Sequence, residues 1–328
     1  MYLIKQFPED FIVNEISNIN IQNNGQYAYY ILKKTNYTTI DALQILSRKF
    51  KIPLKQFGFA GNKDKNAITE QKISIFRGSE NFENVELKNI ELNYLGNGKE
   101  PISLGDLDGN EFIITIRNLN NDYIKKIQSL ENKIIKIPNL YGSQRFSKNN
   151  NLVGKAVITR DFKRSIELIL ENKGFIEDKI KDYLKYNKNN YVGALRLIHL
   201  KTRKLFVHSY QSFLFNEILR QYLKNNKTNK TIPIIGFDFE LNSIKNKSLK
   251  NIFNKILEEE KINPRDFVIN QMPELTSEGG FRYLFFEMKF KILEINDNEL
   301  NKNKKKIKIS FTLPKSCYAT VALEFLFQ

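Results

Sequence analysis

The sequence predicts an α+β protein in which strands from both ends of the chain build one sheet around a helical insertion. Three observations carry this reading. Runs rich in β-branched and aromatic residues lie before about residue 117 and return near residue 283. Between about 152 and 275 the apolar residues recur mostly at helical spacing. Strand and helix patterns do not alternate as they would in a βαβ series.

The elements follow in order. Phe11-Ile-Val-Asn-Glu-Ile16 and Tyr27-Ala-Tyr-Tyr-Ile-Leu32 read as strands, separated by the polar stretch around Asn23-Asn-Gly25. Thr38 and Asp41 have the spacing of a capping box, and Ile40, Leu43, Leu46 and Phe50 form a helical stripe that Pro53 closes. A short apolar strand, Phe57-Gly-Phe-Ala60, runs into the polar loop Gly61-Asn-Lys-Asp-Lys65. Further strands are predicted over 71–76, 85–95 and 112–117, with a helix over 122–133 and an aperiodic loop over 138–150. Residues 206–223 carry a helical stripe through Tyr210, Phe213, Leu214, Glu217 and Ile218, with polar residues on the opposite face. The segments 224–230 and 242–247 read as exposed loops, and 283–295 as strand. Ile307, Ile309, Phe311 and Leu313 alternate as one half-buried strand interrupted by Pro314, and 319–327 is a final apolar helix or strand.

Composition limits the function. Lys and Arg outnumber Asp and Glu by 52 to 36, a net charge of +16 that suits a polyanionic partner. The single cysteine, Cys317, excludes an intramolecular disulfide and points to a reducing compartment. No signal-peptide layout is visible and no apolar run approaches the roughly 18 residues of a membrane span, so a cytoplasmic protein is expected. Two histidines, His199 and His208, cannot with one cysteine build the usual zinc or iron–sulfur sites, and both read as structural. Gly96-Asn-Gly98-Lys99 lacks the spacing of a phosphate-cradling P-loop, and no strand is followed by a dinucleotide-binding glycine motif. What remains is Asp64, a carboxylate on a glycine-flanked loop between Lys63 and Lys65, whose ammonium groups can also meet phosphate. Read from spacing alone, Asp64 is either a reacting group or a loop aspartate that caps a turn.

Four blocks make the reading specific. Phe57-Gly-Phe-Ala-Gly-Asn-Lys-Asp-Lys-Asn-Ala-Ile-Thr-Glu-Gln71 closely resembles the signature of TruD-type pseudouridine synthases, in which an aspartate follows an Ala-Gly-x-Lys element. Lys5-Gln-Phe-Pro-Glu-Asp-Phe-Ile-Val-Asn-Glu15 resembles that family's N-terminal element. Pro138-Asn-Leu-Tyr-Gly-Ser-Gln-Arg-Phe146 resembles its Asn-Tyr-Phe-Gly-x-Gln-Arg-Phe-Gly loop, with Leu140, Tyr141 and Ser147 departing from it. Leu313-Pro-Lys-Ser-Cys-Tyr-Ala-Thr320 resembles its C-terminal segment, with Tyr318 for Phe. The blocks occur in the family's order, while 224–280 shows almost no match.

The resemblance implies a pseudouridine-synthase core with a mixed or antiparallel sheet and flanking helices, over residues 1–154 and 276–328, plus an inserted second α/β domain of the TRUD type over 155–275. It implies uridine isomerisation in tRNA, at position 13 of the D arm, with no cofactor and no metal, by a monomer. Asp64 becomes the catalytic carboxylate and Lys5 the active-site lysine. Phe11, Asn139, Tyr141 and Tyr318 become pocket residues, with Tyr141 placed to stack on a flipped uracil and Asn139 to read its edge. Lys63, Lys65 and Arg145 are expected to meet RNA phosphates, and Glu15 and Gln144 fall in matching blocks. A catalytically silent RNA-binding protein on the same scaffold is the alternative, and a methyltransferase lacks a donor site.

Overall fold

The computed structural model describes residues 2–22, 24–84, 87–224 and 230–327, so Asn23, 85–86 of one predicted strand and 225–229 of one predicted loop lie outside the described residues. In chain order the elements are β1 (Phe11–Ile16), β2 (Tyr27–Thr35), α1 (Thr39–Phe50), β3 (Phe57–Phe59), β4 (Ile68–Phe76), β5 (Ile90–Gly98), β6 (Gly109–Leu119), α2 (Asn121–Leu130) and β7 (Ile135–Pro138). There follow α3 (Asn150–Ile158), α4 (Phe162–Leu170), α5 (Phe175–Tyr186), α6 (Tyr191–Arg196), α7 (Leu200–Leu223), β8 (Thr231–Ile234), α8 (Lys247–Glu260) and β9 (Gly280–Tyr283). The chain closes with β10 (Phe285–Met288), β11 (Phe290–Asp297), β12 (Lys305–Pro314) and α9 (Ala319–Phe327). None of the helices in the described residues is long and apolar enough to cross a membrane.

The chain divides into two compact units, 1–137 with 286–328, and 138–285. The division expected at 154/155 and 275/276 thus falls further out on both sides. The physical reason is helix packing: α3 lies against α7, where a Cβ added at Gly154 would collide with the backbone oxygen of Phe206, so the aperiodic loop and α3 go with the helices.

The first unit holds an eight-stranded sheet in the order β11-β12-β6-β1-β4-β2-β5, with β3 off this path on β4. It is mixed: β1 runs parallel to β4, and the other pairs are antiparallel. Along β4, β1 pairs with Ile68 to Glu70, and β3 pairs further along with Ile73 to Ile75. One edge of β4 is therefore shared by two strands that part near Gln71 and Lys72, and the loop from β3 to β4 crosses that parting. α1 starts as expected from Thr38, whose side chain accepts from Asp41 N–H, while the Asp41 carboxylate accepts from Thr38 N–H at 3.3 Å. It buries Ala42, Leu43 and Leu46 against Ala28, Tyr30, Leu32, Ile73 and Ile75. The helix leaves through Lys51 in the left-handed region at a φ of 57°, two residues before Pro53.

In the second unit α7 is the central helix. The expected polar outer face is not there: Ser209, Gln211, Ser212 and Asn216 are buried along with Phe206, Tyr210, Leu214 and Ile218. A helix enclosed on nearly all sides needs partners for its polar groups, and these come from neighbouring loops. Gln211 donates to the carbonyls of Ile235 and Glu278, both at 2.9 Å.

Candidate active site

The Asp64 loop is short, irregular and held almost entirely by side chains. Lys63 N–H donates to Thr39 Oγ1 at 2.9 Å, Thr39 Oγ1 donates to Gln71 Oε1 at 2.7 Å, and Gln71 Nε2 donates to Gly61 O at 3.0 Å. Gly105 N–H reaches Ala60 O at 2.8 Å. Thr39 and Gln71 are buried, so each link replaces a lost water hydrogen bond. This relay runs from α1 across to β4 and spans the parting between β1 and β3.

The segment bearing Lys5 is fixed as firmly. Leu3 and Arg117 exchange backbone hydrogen bonds at 2.8 and 3.0 Å. The Arg117 guanidinium grips both oxygens of buried Asp10 at 2.8 Å and also reaches Glu299 at 2.8 Å. Asp10 in turn accepts from the N–H groups of Gln6 and Phe7, both at 3.1 Å. Lys5 sits between these ties at a φ of 58°, a region sparsely used by residues with a Cβ.

The two segments meet at one ion pair, between Lys5 Nζ and Asp64 Oδ2. The Lys5 ammonium also lies 4.0 Å from the centroid of the Phe11 ring. Asp64 keeps 36% of its side-chain surface exposed, so a ligand can reach the carboxylate. Phe11 is only 2% exposed and packs edge-on to Phe112, so it supports Lys5 from the core. Lys5, Phe11 and Asp64 are thus brought together.

Lys63 is a correction. It is buried, and its ammonium is committed to Glu15 Oε2 at 2.7 Å and Asn110 Oδ1 at 2.8 Å, where no RNA phosphate can displace these partners without breaking a buried ion pair. Its neighbour Lys65 is exposed. A second lysine, missed in the sequence, holds the same loop: Lys34 on β2 is wholly buried and donates to the carbonyl of Asp64 at 2.9 Å.

Asn139, Tyr141 and Arg145 form a cluster on the helical unit. Asn216 of α7 brackets Tyr141 with two backbone hydrogen bonds, accepting from its N–H at 2.8 Å and donating to its carbonyl at 2.9 Å. Ser209 donates to Arg145 O at 2.8 Å, and Arg145 Nε donates to Ser212 Oγ at 3.2 Å. Ser209, Ser212 and Asn216 recur at i, i+3 and i+7, so one stripe of α7 carries the loop. Asn139 is buried and accepts from Arg282 at both its backbone oxygen, 2.9 Å, and its Oδ1, 2.7 Å. The Arg282 guanidinium lies 4.1 Å from the Tyr141 ring centroid, and Phe215 meets that ring edge-on at 5.5 Å. Arg282 is a residue the sequence reading missed; its only signal is the alternation of exposed Phe281 and Tyr283 around it. Gln144 is exposed. His208 is half-buried near Arg145 and Lys204, and burial first, then those two cations, lower its pKa. Tyr318, in the first unit, is half-buried at the start of α9, where its carbonyl accepts from Ala322 N–H at 3.1 Å.

This geometry can be set against known proteins. The sequence profile of the family described as tRNA pseudouridine synthase D (TruD) matches residues 2–181, 171–231 and 220–325. The chain belongs to the tRNA pseudouridine synthase D family. A probable tRNA pseudouridine synthase D of Methanosarcina acetivorans is 30% identical, over 98% of this chain and 91% of that protein. The tRNA pseudouridine synthase D of Aquifex aeolicus is 27% identical, over 99% and 97% of the two chains. The crystal structure of a putative tRNA pseudouridine synthase D from Methanosarcina mazei matches with a TM-score of 0.72 at 28% identity, covering 98% of this chain and 92% of that one. Pseudouridine synthases of this family are isomerases that convert uridine to pseudouridine in tRNA, which agrees with the activity expected from the four blocks.

Proposed function

We propose that this chain isomerises uridine to pseudouridine in tRNA with Asp64 as the reacting carboxylate, at position 13 of the D arm. The observation that carries the assignment is the Lys5–Asp64 pair on the family's signature loop, with the carboxylate open to a ligand and its surroundings closed. The reaction breaks the bond from uracil N1 to C1′, turns the base and forms a bond from C5 to C1′, while the C5 proton leaves and N1 gains one. Substrate and product have the same atoms, so the reaction needs no group donor and no net oxidant or reductant. A carboxylate serves either as the nucleophile at C1′ or as the base of a glycal route, and Asp64 suits both.

Lys5 holds the carboxylate at one oxygen, and the face of the Phe11 ring attracts the ammonium and helps to keep it there. Tyr141 is the candidate ring for stacking on the extruded base, Asn139, Arg145 and Tyr318 are candidate contacts to the substrate on their own units, and exposed Lys65 is a candidate phosphate contact. The protein acts as a cytoplasmic monomer in this reading.

The test is cofactor-free incubation of wild-type, Asp64→Ala and Asp64→Asn proteins with unmodified tRNA transcripts, followed by nucleotide-resolution pseudouridine mapping. The expected result is one new pseudouridine, in the D arm, made by wild type alone. Turnover by either variant removes Asp64 from the chemistry, and a product elsewhere removes the D-arm assignment. Tight tRNA binding with no product by wild type favours a silent RNA-binding protein.

A further inference from the structure

Along β2 the inward-facing positions carry Ala28, Tyr30 and Leu32, and the next such position is Lys34. A lysine therefore stands where the strand pattern calls for a core side chain, and it is 0% exposed. An ammonium group is costly to bury unless it is paired or hydrogen-bonded, and a methionine would fill similar volume without that cost. The Lys34 ammonium meets two main-chain oxygens, Tyr37 O at 2.6 Å and Asp64 O at 2.9 Å. Asp64 is consequently held at both ends by ammonium groups, Lys5 on its carboxylate and Lys34 on its carbonyl.

We infer that Lys34 is a positioning residue for the reaction, clamping the main chain of Asp64 and lending its carboxylate a second positive charge. The inference rests on Asp64 being the reacting carboxylate. Lys34 touches neither substrate nor solvent, so its effect is on the rate of the chemical step and not on RNA affinity.

The charged groups facing Lys34 are Asp64, Lys63 and Asp41, while its register partners on β4 and β5, Thr69 and Ile90, do not titrate. Burial pushes the Lys34 ammonium down to about 8, against an upward pull from Asp64 and Asp41 and a further downward push from Lys63. As pH rises through that value the charge beside Asp64 is lost while the residues of the loop stay in place. Turnover therefore falls on the alkaline side.

The experiment measures single-turnover rate constants and filter-binding affinities on one tRNA transcript between pH 6 and 9.5. Proteins compared are wild type, Lys34→Met, Lys34→Arg and Asp64→Ala, each checked for folding by circular dichroism. Lys34→Met is expected to bind RNA within about twofold of wild type, to react roughly 100-fold more slowly through misplacement of the carboxylate, and to lose the alkaline limb. Lys34→Arg, which keeps the charge, is expected to recover part of the rate. A Lys34→Met rate within threefold of wild type, or a loss confined to affinity, overturns the inference. An active Asp64→Ala protein overturns the assignment of Asp64 itself, and an inactive one beside a fully active Lys34→Met protein overturns only the role of Lys34. Should Lys34→Met fail to fold, the wild-type profile decides: a fall in rate near pH 8 at constant affinity supports the clamp, and a flat profile refutes it.

Discussion

The loop carrying Asp64 and the loop carrying Asn139, Tyr141 and Arg145 are both short and irregular, yet they are held by opposite means. The first is fixed by buried charge, Lys34 from β2 and Glu15 of β1 on the loop's own Lys63, together with the neutral Thr39–Gln71 relay from α1 and β4. The second rests on one stripe of small polar residues of α7 and on a guanidinium laid over an aromatic ring. Buried ion pairs fix atoms closely and fail sharply when one partner is removed. The contacts from α7 are neutral, and the buried Arg282 guanidinium is bonded to the amide of Asn139 and not to a carboxylate in the contacts described above. Under the proposed function the first kind of support serves a reacting carboxylate and the second a ring that receives the base.

The largest effect is expected at Glu15. Glu15→Ala leaves Lys63 buried without its carboxylate, and the first unit should lose about 3–5 kcal/mol of unfolding free energy, read as a lower denaturation midpoint. Equal midpoints for wild type and variant would break the contrast by showing that buried charge does not hold the Asp64 loop. Arg282→Ala comes next. It removes two hydrogen bonds to Asn139 and the cation over Tyr141, and kcat/KM should fall by roughly 10- to 100-fold, mainly through KM. Lys in its place should restore little, because an ammonium cannot reproduce the fork. A pure loss of kcat would instead place the second loop in the chemical step.

His208 sharpens the comparison through pH. Its folded pKa is lowered, so below about 6.5 the unfolded chain binds more protons than the folded one, and stability rises with pH through that window. Acidification should therefore loosen the helical unit by up to about 1.4 kcal/mol per pH unit from this one proton, an acid sensitivity that His208→Gln should remove from thermal melts. The smallest effect belongs to Lys65. Lys65→Ala should weaken tRNA binding equally across sequences and lower the slope of log affinity against log salt by about 1, with the single-turnover rate unchanged.

Much of this was legible because it is local. Thr38 and Asp41 announced α1 by spacing, and the run ending at Gln71 contains both Asp64 and one of the residues that hold its loop. The alternation through 307–313 gave β12 its inward face. What escaped depends on distance. Asp10 and Arg117 are 107 positions apart, and no pattern in the chain joins them. Lys63 and Lys65 look alike in the sequence, and only the course of the loop turns one inward to Glu15 and leaves the other outside. Ser209, Ser212 and Asn216 read as a solvent face because polarity alone does not distinguish water from a loop backbone that needs partners. The unit boundaries moved for a related reason: the aperiodic stretch after Pro138 carries no sign of which core it joins.

The sheet order has a consequence for how the molecule is made. β6 sits between β1 and β12, and Gly109 of β6 faces Pro314 of β12. During synthesis β6 appears early and its second neighbour only after the whole helical unit has been produced. Until then β6 presents a bare row of N–H and C=O groups, the kind of edge that recruits other chains. Folding of the helical unit can proceed meanwhile, since its core residues are contiguous in the chain. The order of assembly is thus set by topology, with the sheet of the first unit completed last and a chain halted before β12 left as an aggregation hazard.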